Sequence, residues 1–204
     1  AKVRKELPTA VESITVSNIS DFKGNTANSI TSQVAEKLVP GDVIINEILY
    51  NPLADNEDNL PDQSEYIELY NRSEKAVSLE GVFIHDAPDE EGEIRAITPV
   101  STRFKWIAPN EFVLLNAEDE ASDFSESKTA RFFEIEVTNE QSIIRADRSS
   151  LSLASSGDAV FLADSTGATI DSVFFDDRWQ NPNIFDTRGV ALERIDPNGP
   201  SNDA

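Results

Sequence analysis

Punctuation constrains this sequence more than anything else. Short runs of β-branched and aromatic residues recur at roughly 8–12-residue spacing, broken by Gly, Pro, Asn and Asp. Apolar residues almost nowhere repeat at helical spacing. The pattern predicts an all-β chain of short antiparallel strands packed as a sandwich. Its clearest pair is Val43–Tyr50 and Glu65–Tyr70, on either side of an acidic loop. Side chains alternate along a strand, so Val43, Ile45, Glu47 and Leu49 fall on one face, and Ile44, Asn46, Ile48 and Tyr50 on the other. In the second run Glu65, Ile67 and Leu69 oppose Tyr66, Glu68 and Tyr70. Each run sets a carboxylate among apolar neighbours, where burial demands a hydrogen-bond or charged partner. Asn51-Pro52 ends the first strand, because proline has no N–H for a ladder. Residues 43–50 and 65–71 are expected to be antiparallel neighbours.

A second hairpin is expected from 158–163 and 169–175, joined through Asp164-Ser165-Thr166-Gly167-Ala168. Ala108-Pro109-Asn110 reads as a tight turn between 103–107 and 111–115. Residues 76–79, 81–84 and 132–137 read as further short strands, 176–185 as a loop carrying Trp179, and 189–195 as the last strand. Residues 1–40 differ. Two short strands, 13–17 and 29–34, flank a turn at Asp21–Asn25, and two strands cannot bury a sheet face on their own. The segment reads as the closing hairpin of a preceding domain plus a linker. Pro40-Gly41 marks the boundary, and 41–204 forms one domain.

Composition removes several classes of function. The formal net charge is −21, with 38 Asp and Glu against 17 Lys and Arg. A surface this acidic repels phosphate backbones, so no nucleic-acid partner is expected. There is no cysteine, hence no disulfide framework and no thiolate chemistry. No apolar run approaches the roughly 20 residues that span a bilayer, so membrane insertion is not expected. The sequence holds no methionine, which reads as a mature form or an excised fragment, so a missing signal peptide is uninformative.

No catalytic residue is assigned. Motifs of the G-x-S-x-G, P-loop and G-x-G-x-x-G types are absent, and His85, the single histidine, reads as structural or surface. Glu47, Glu65 and Glu68 are the strand carboxylates that glycosidase chemistry would need, but a sandwich has no cleft at mid-sheet. Glu47, Glu68 and Asn46 are therefore read as structural, and the glutamates are expected to cap loop N–H groups or to pair with Arg72 or Arg194. The acidic loop offers one metal hypothesis, a Ca2+ site built from Asp55, Asp58, Asp62 and Glu65. It is not an EF-hand, since Leu60 stands where that loop needs Gly and Tyr66 where it needs Glu. No other cofactor is expected. Asn18-Ile19-Ser20 and Asn71-Arg72-Ser73 match the glycosylation acceptor pattern.

Five ordered segments carry a family resemblance: VIINEILYNP, EYIELYNRSEKAVSLEGVFI, IAPNEFVLL, LSLASSGDAVFLADSTGATIDSVFF and GVALERIDPNGPSND. Together they resemble the lamin tail domain in its bacterial form, over about residues 41–204. Residues 86–102 and 117–150 depart from that pattern. ITVSNISDFKGN followed by NSITSQVAEKLVPGD resembles the last strands of a bacterial Ig-like domain. The resemblance implies an immunoglobulin-like sandwich. It further implies a non-catalytic structural or interaction module of a secreted, multidomain bacterial surface protein, extracellular or at the cell surface. Protein or glycan would be contacted through loops. The alternatives are an accessory domain of an extracellular hydrolase and a calcium-dependent adhesion module.

Overall fold

A computed structural model of the chain describes residues 12–53, 62–94, 97–101, 106–117, 143–146 and 150–200. Within them the chain forms fourteen strands and, at Asp177–Trp179, one 3-10 turn. The strands are β1 (Glu12–Ser20), β2 (Thr26–Val34), β3 (Glu36–Lys37), β4 (Val43–Leu49), β5 (Tyr66–Asn71), β6 (Val77–Ser78) and β7 (Phe83–His85). They continue with β8 (Thr98–Ser101), β9 (Trp106–Ile107), β10 (Phe112–Asn116), β11 (Ile143–Ala146), β12 (Gly157–Ala163), β13 (Thr169–Asp176) and β14 (Leu192–Glu193).

Nine strands share one hydrogen-bonded order, β13-β12-β7-β8-β11-β10-β5-β4-β14, and β3-β6-β9 form a smaller sheet. The long sheet folds over on itself, so that β13, at one end of the order, lies against β4, next to the other end. Gly41 N donates to Ile170 O across that seam at 3.2 Å. Between the layers lies a core of Val43, Ile45, Ile48, Ile67, Leu69, Val113 and Leu115 from one side, and Ile84, Val160, Leu162, Ile170 and Phe175 from the other. This is the expected all-β, immunoglobulin-like sandwich.

Both expected strand pairs form. β4 and β5 are antiparallel, as are β12 and β13. The β12–β13 turn is built locally: Asp164 Oδ1 accepts from Thr166 N, Thr166 Oγ1 and Ala168 N, and Gly167 takes φ +83°. The bonds from Thr166, chiefly its hydroxyl, hold the Asp164 carboxyl down at about 2.

Three expectations need correction. Strict alternation along β4 fails at a bulge, because the register passes from Ile45 opposite Leu69 to Glu47 opposite Glu68, leaving Asn46 as the extra residue. Val43 and Ile45 face the core before the bulge, Ile48 and Tyr50 after it, and Glu47 and Leu49 are turned outward. The turn at Ala108–Asn110 exists, but its flanks belong to different sheets, since β9 pairs with β6 and β10 with β5 and β11. The last strand is two residues long, and β8 forms although Pro99 sits within it, opposite Phe83. The expected strand at 132–137 lies outside the described residues.

At the N-terminal end β1 and β2 form their own two-stranded sheet. It leaves Ile14 and Val16, two residues apart on one face, half exposed. β3 pairs with β6, and Leu38 just after it is part of the sandwich core.

Candidate functional site

The bulge at Asn46 arranges the strand carboxylates. It turns Glu47 outward, directly opposite Glu68 on β5 and Glu193 on β14. Three glutamates on three neighbouring strands thus form a row across the outer face. Tyr66 Oη donates to Glu47 Oε1 at 2.6 Å, and Asn46 Nδ2 donates to Glu68 Oε1 at 2.8 Å. Glu47 thus meets a tyrosine hydroxyl, in place of the loop amide or arginine expected for it.

The local field is strongly negative. Burial first, then the bond to Glu47 and the charges of Glu47, Glu68 and Glu193, push the Tyr66 phenol far above its ordinary range. Burial likewise pushes the Glu68 carboxyl up, aided by the charges of Glu47 and Glu193 and opposed by the bond from Asn46. Among the described residues no salt bridge forms to any of the three glutamates. Asn46 itself is 5% exposed, and its Oδ1 is buried without a hydrogen-bond donor.

Glu65 serves elsewhere. Its Oε2 accepts from Ser152 N at 2.9 Å and Ser150 Oγ at 3.2 Å, and its Oε1 from Leu153 N at 3.2 Å, fixing the approach to β12. It is also one of the expected calcium set, with Asp55, Asp58 and Asp62. Asp55 and Asp58 of that set lie outside the described residues, and Asp62 is half-buried beside them in sequence. Among the described residues no group of three or more His, Cys, Asp or Glu side chains is placed to hold a metal ion.

The two arginines expected near the strand glutamates are turned to backbone carbonyls. Arg72 donates to Gly41 O and Gly199 O. Arg194 donates to Ile45 O and Pro200 O, and meets the Asp171 carboxylate at 3.5 Å. Asp171, which the sequence reading passed over, is buried and also accepts from Ile45 N at 2.8 Å. The signal for it is an acidic residue inside the apolar run TIDSVFF.

Asn71 also changes role. It is fully buried, so it is no glycosylation acceptor in the folded chain, whereas Asn18 is exposed on β1. Asn71 Nδ2 donates to Lys75 O, Ile107 O and Ala108 O, while its Oδ1 accepts from Ser73 N and Ser73 Oγ. His85 is buried, with its ring stacked on Phe161 at 5.1 Å. Its Nδ1 lies 2.6 Å from Asp86 O, which can only accept, so the ring proton sits on Nδ1.

Large apolar side chains reach solvent on the loop after β13, where Trp179, Ile184 and Phe185 are exposed. Asp176 pairs with Arg178 and Asp186 with Arg188, each two residues apart. The Arg188 bonds hold the Asp186 carboxyl at about 2. Gln180, buried at the base, donates to Val190 O at 2.8 Å. The loop is thus braced while its aromatic rings point outward.

Compared with known families, the chain matches the model described as Lamin Tail Domain over residues 37–177. No curated protein matches it. The match begins in β3 and ends in the 3-10 turn. It therefore stops before the segment GVALERIDPNGPSND, although β14 in that segment pairs with β4 and extends the same sheet.

Proposed function

The chain belongs to the lamin tail domain family, a non-catalytic immunoglobulin-like family whose members are typically interaction or structural modules, and from that premise we propose that it is an attachment module of a secreted, multidomain bacterial surface protein. Contact is made through the loop that follows β13. The carrying observation is the exposure of Trp179 and Phe185 on a segment held by two ion pairs and a buried glutamine. Exposed aromatic residues on a braced loop present large apolar area at low ordering cost, which is how interface anchors work. The net charge of −21 favours a neutral or basic partner and disfavours self-association. A neutral glycan and a surface protein both satisfy this chemistry. Co-sedimentation of the purified chain with bacterial envelope polysaccharide and, separately, with envelope protein tests the reading. Saturable binding to either supports it and names the partner class; binding to neither overturns it.

A further inference from the structure

The turn after β14 carries chemistry of its own. Asp196-Pro197-Asn198-Gly199 has the residues that a type I turn favours, with Asp first, Pro second and Gly fourth. It closes accordingly. Gly199 N donates to Asp196 O at 3.0 Å, and Asp196 Oδ1 accepts from Asn198 N at 2.9 Å. Asn198 is exposed, and its side-chain amide takes no part in these bonds. Gly199 O, in turn, accepts from Arg72 Nη1 at 3.2 Å and from Arg194 Nη1 at 3.4 Å. The same two arginines hold Gly41 O and Ile45 O, so the turn is tied to β4 and to its approach.

We propose that Asn198–Gly199 is a self-modification site, a deamidation gated by the Asp196 turn. A backbone nitrogen can attack the side-chain carbonyl carbon of the asparagine before it, and glycine leaves that nitrogen unhindered because it has no Cβ. Gly199 N gives up its proton to water and bonds to Asn198 Cγ. The Cγ–Nδ2 bond breaks, and ammonia leaves with a proton returned from water. Water then opens the cyclic imide. Attack at Cγ gives aspartate; attack at the main-chain carbonyl gives isoaspartate, whose backbone runs through Cβ and Cγ. The closed turn withholds the nucleophile. The proton that Gly199 N must lose is the one it donates to Asp196 O, and the nitrogen cannot swing toward Cγ while that bond holds. Reaction therefore proceeds from the open turn, at a rate set by how often the turn opens. Isoaspartate adds one carbon to the main chain just before Gly199, so the Gly199 carbonyl no longer fits the place that Arg72 and Arg194 fix for it. The step is one-way, so its product records the time a molecule has spent with this turn open. It does not depend on the loop contact proposed above.

The test is peptide mapping by mass spectrometry, with isoaspartate quantified, of the purified chain held at mildly alkaline pH. Unfolded in guanidinium chloride, the chain converts Asn198; folded, it does so at least about tenfold more slowly. D196A removes the bond to Asn198 N and speeds conversion several-fold in the folded chain, with little change in the unfolded one. Asp196 is exposed, and a thermal melt of D196A checks that the sandwich is intact. After ageing, the converted wild-type chain unfolds at a lower denaturant midpoint than the fresh chain, whereas N198A, which cannot convert, keeps its midpoint. Equal rates in the folded and unfolded wild-type chain, no isoaspartate at 198 in the unfolded chain, a folded D196A as slow as wild type, or a converted chain with the fresh chain's midpoint would each overturn the proposal.

Discussion

Asp171→Ala is the sharpest structural test, because one carboxylate holds the seam of the sandwich. Asp171 Oδ2 accepts from Ile45 N at 2.8 Å and meets Arg194 Nη2 at 3.5 Å. The two side chains are 7% and 11% exposed, so the pair is buried. It joins β13 to β4 at the bulge, and through Arg194 to the segment after β14. Removing the carboxylate orphans the Ile45 amide, a loss of about 1–3 kcal/mol. It also strips a buried arginine of its counter-charge, and breaking such pairs costs about 3–5 kcal/mol. Arg194 keeps the carbonyls of Ile45, Gly199 and Pro200, and both losses stem from one carboxylate. The total therefore falls near the lower end, about 3–4 kcal/mol. Asp171→Asn keeps an acceptor for Ile45 N–H and loses about 1–2 kcal/mol. Urea unfolding followed by tryptophan fluorescence reads both variants. With a slope of about 3 kcal/mol/M, Asp171→Ala lowers the midpoint by about 1 M. The double variant D171A/R194A loses less than the sum of the singles. A midpoint within about 0.2 M of wild type at unchanged slope, or an Asn variant as damaged as the Ala variant, would refute this account of the seam.

Three further predictions follow from the same geometry. Glu68 has its folded pKa raised, so the folded state holds that proton more tightly than the unfolded chain. Stability is then unimpaired below the unfolded value of 4.5 and falls as pH rises through the folded one. At neutral pH Glu68→Gln, which relieves repulsion with Glu47 and Glu193 while keeping an acceptor for Asn46, gains about 0.2–1 kcal/mol; an equal gain at pH 4 would contradict this. Asn71→Ala leaves the carbonyls of Lys75, Ile107 and Ala108 without their shared donor and costs about 2–3 kcal/mol by urea unfolding; a loss under about 0.5 kcal/mol would remove its role in tying β9 to β10. The melting temperature rises with NaCl as the Debye length shrinks from about 30 Å at 0.01 M to about 3 Å at 1 M, and calcium at matched ionic strength gives the same midpoint; a calcium-specific rise lost in Asp58→Asn or Asp62→Asn would establish the acidic-loop site and favour the adhesion reading.

Local chemistry was legible in the sequence and long-range choice was not. The β12–β13 hairpin is readable because Asp164, Thr166 and Gly167 build its turn among themselves. The family was readable because its segments are the strands of the core. The bulge at Asn46 was not, since nothing beside it in sequence announces an extra residue; the register against Leu69 and Glu68 imposes it. One slipped residue moved Glu47 out of the inward set and into the glutamate row. The Ala108–Asn110 turn was visible, yet the sheets it joins depend on Asn71, which holds Ile107 O, Ala108 O and, through its own carbonyl, Asn110 N. Asn71 looked like a glycosylation acceptor because a three-residue pattern carries no information about burial. Glu65 and Asp171 find their partners 87 and 126 residues away, beyond any local pattern.

The central functional claim is that the loop after β13 carries the contact surface. Its most direct test compares the wild-type chain with W179A/F185A for retention on whichever envelope fraction binds, with thermal melts run in parallel. Both side chains are exposed, so the melts should coincide. Truncating two aromatic anchors worth over about 1 kcal/mol each should weaken retention at least about tenfold. Equal retention by the two proteins, at equal melting temperature, would contradict the claim.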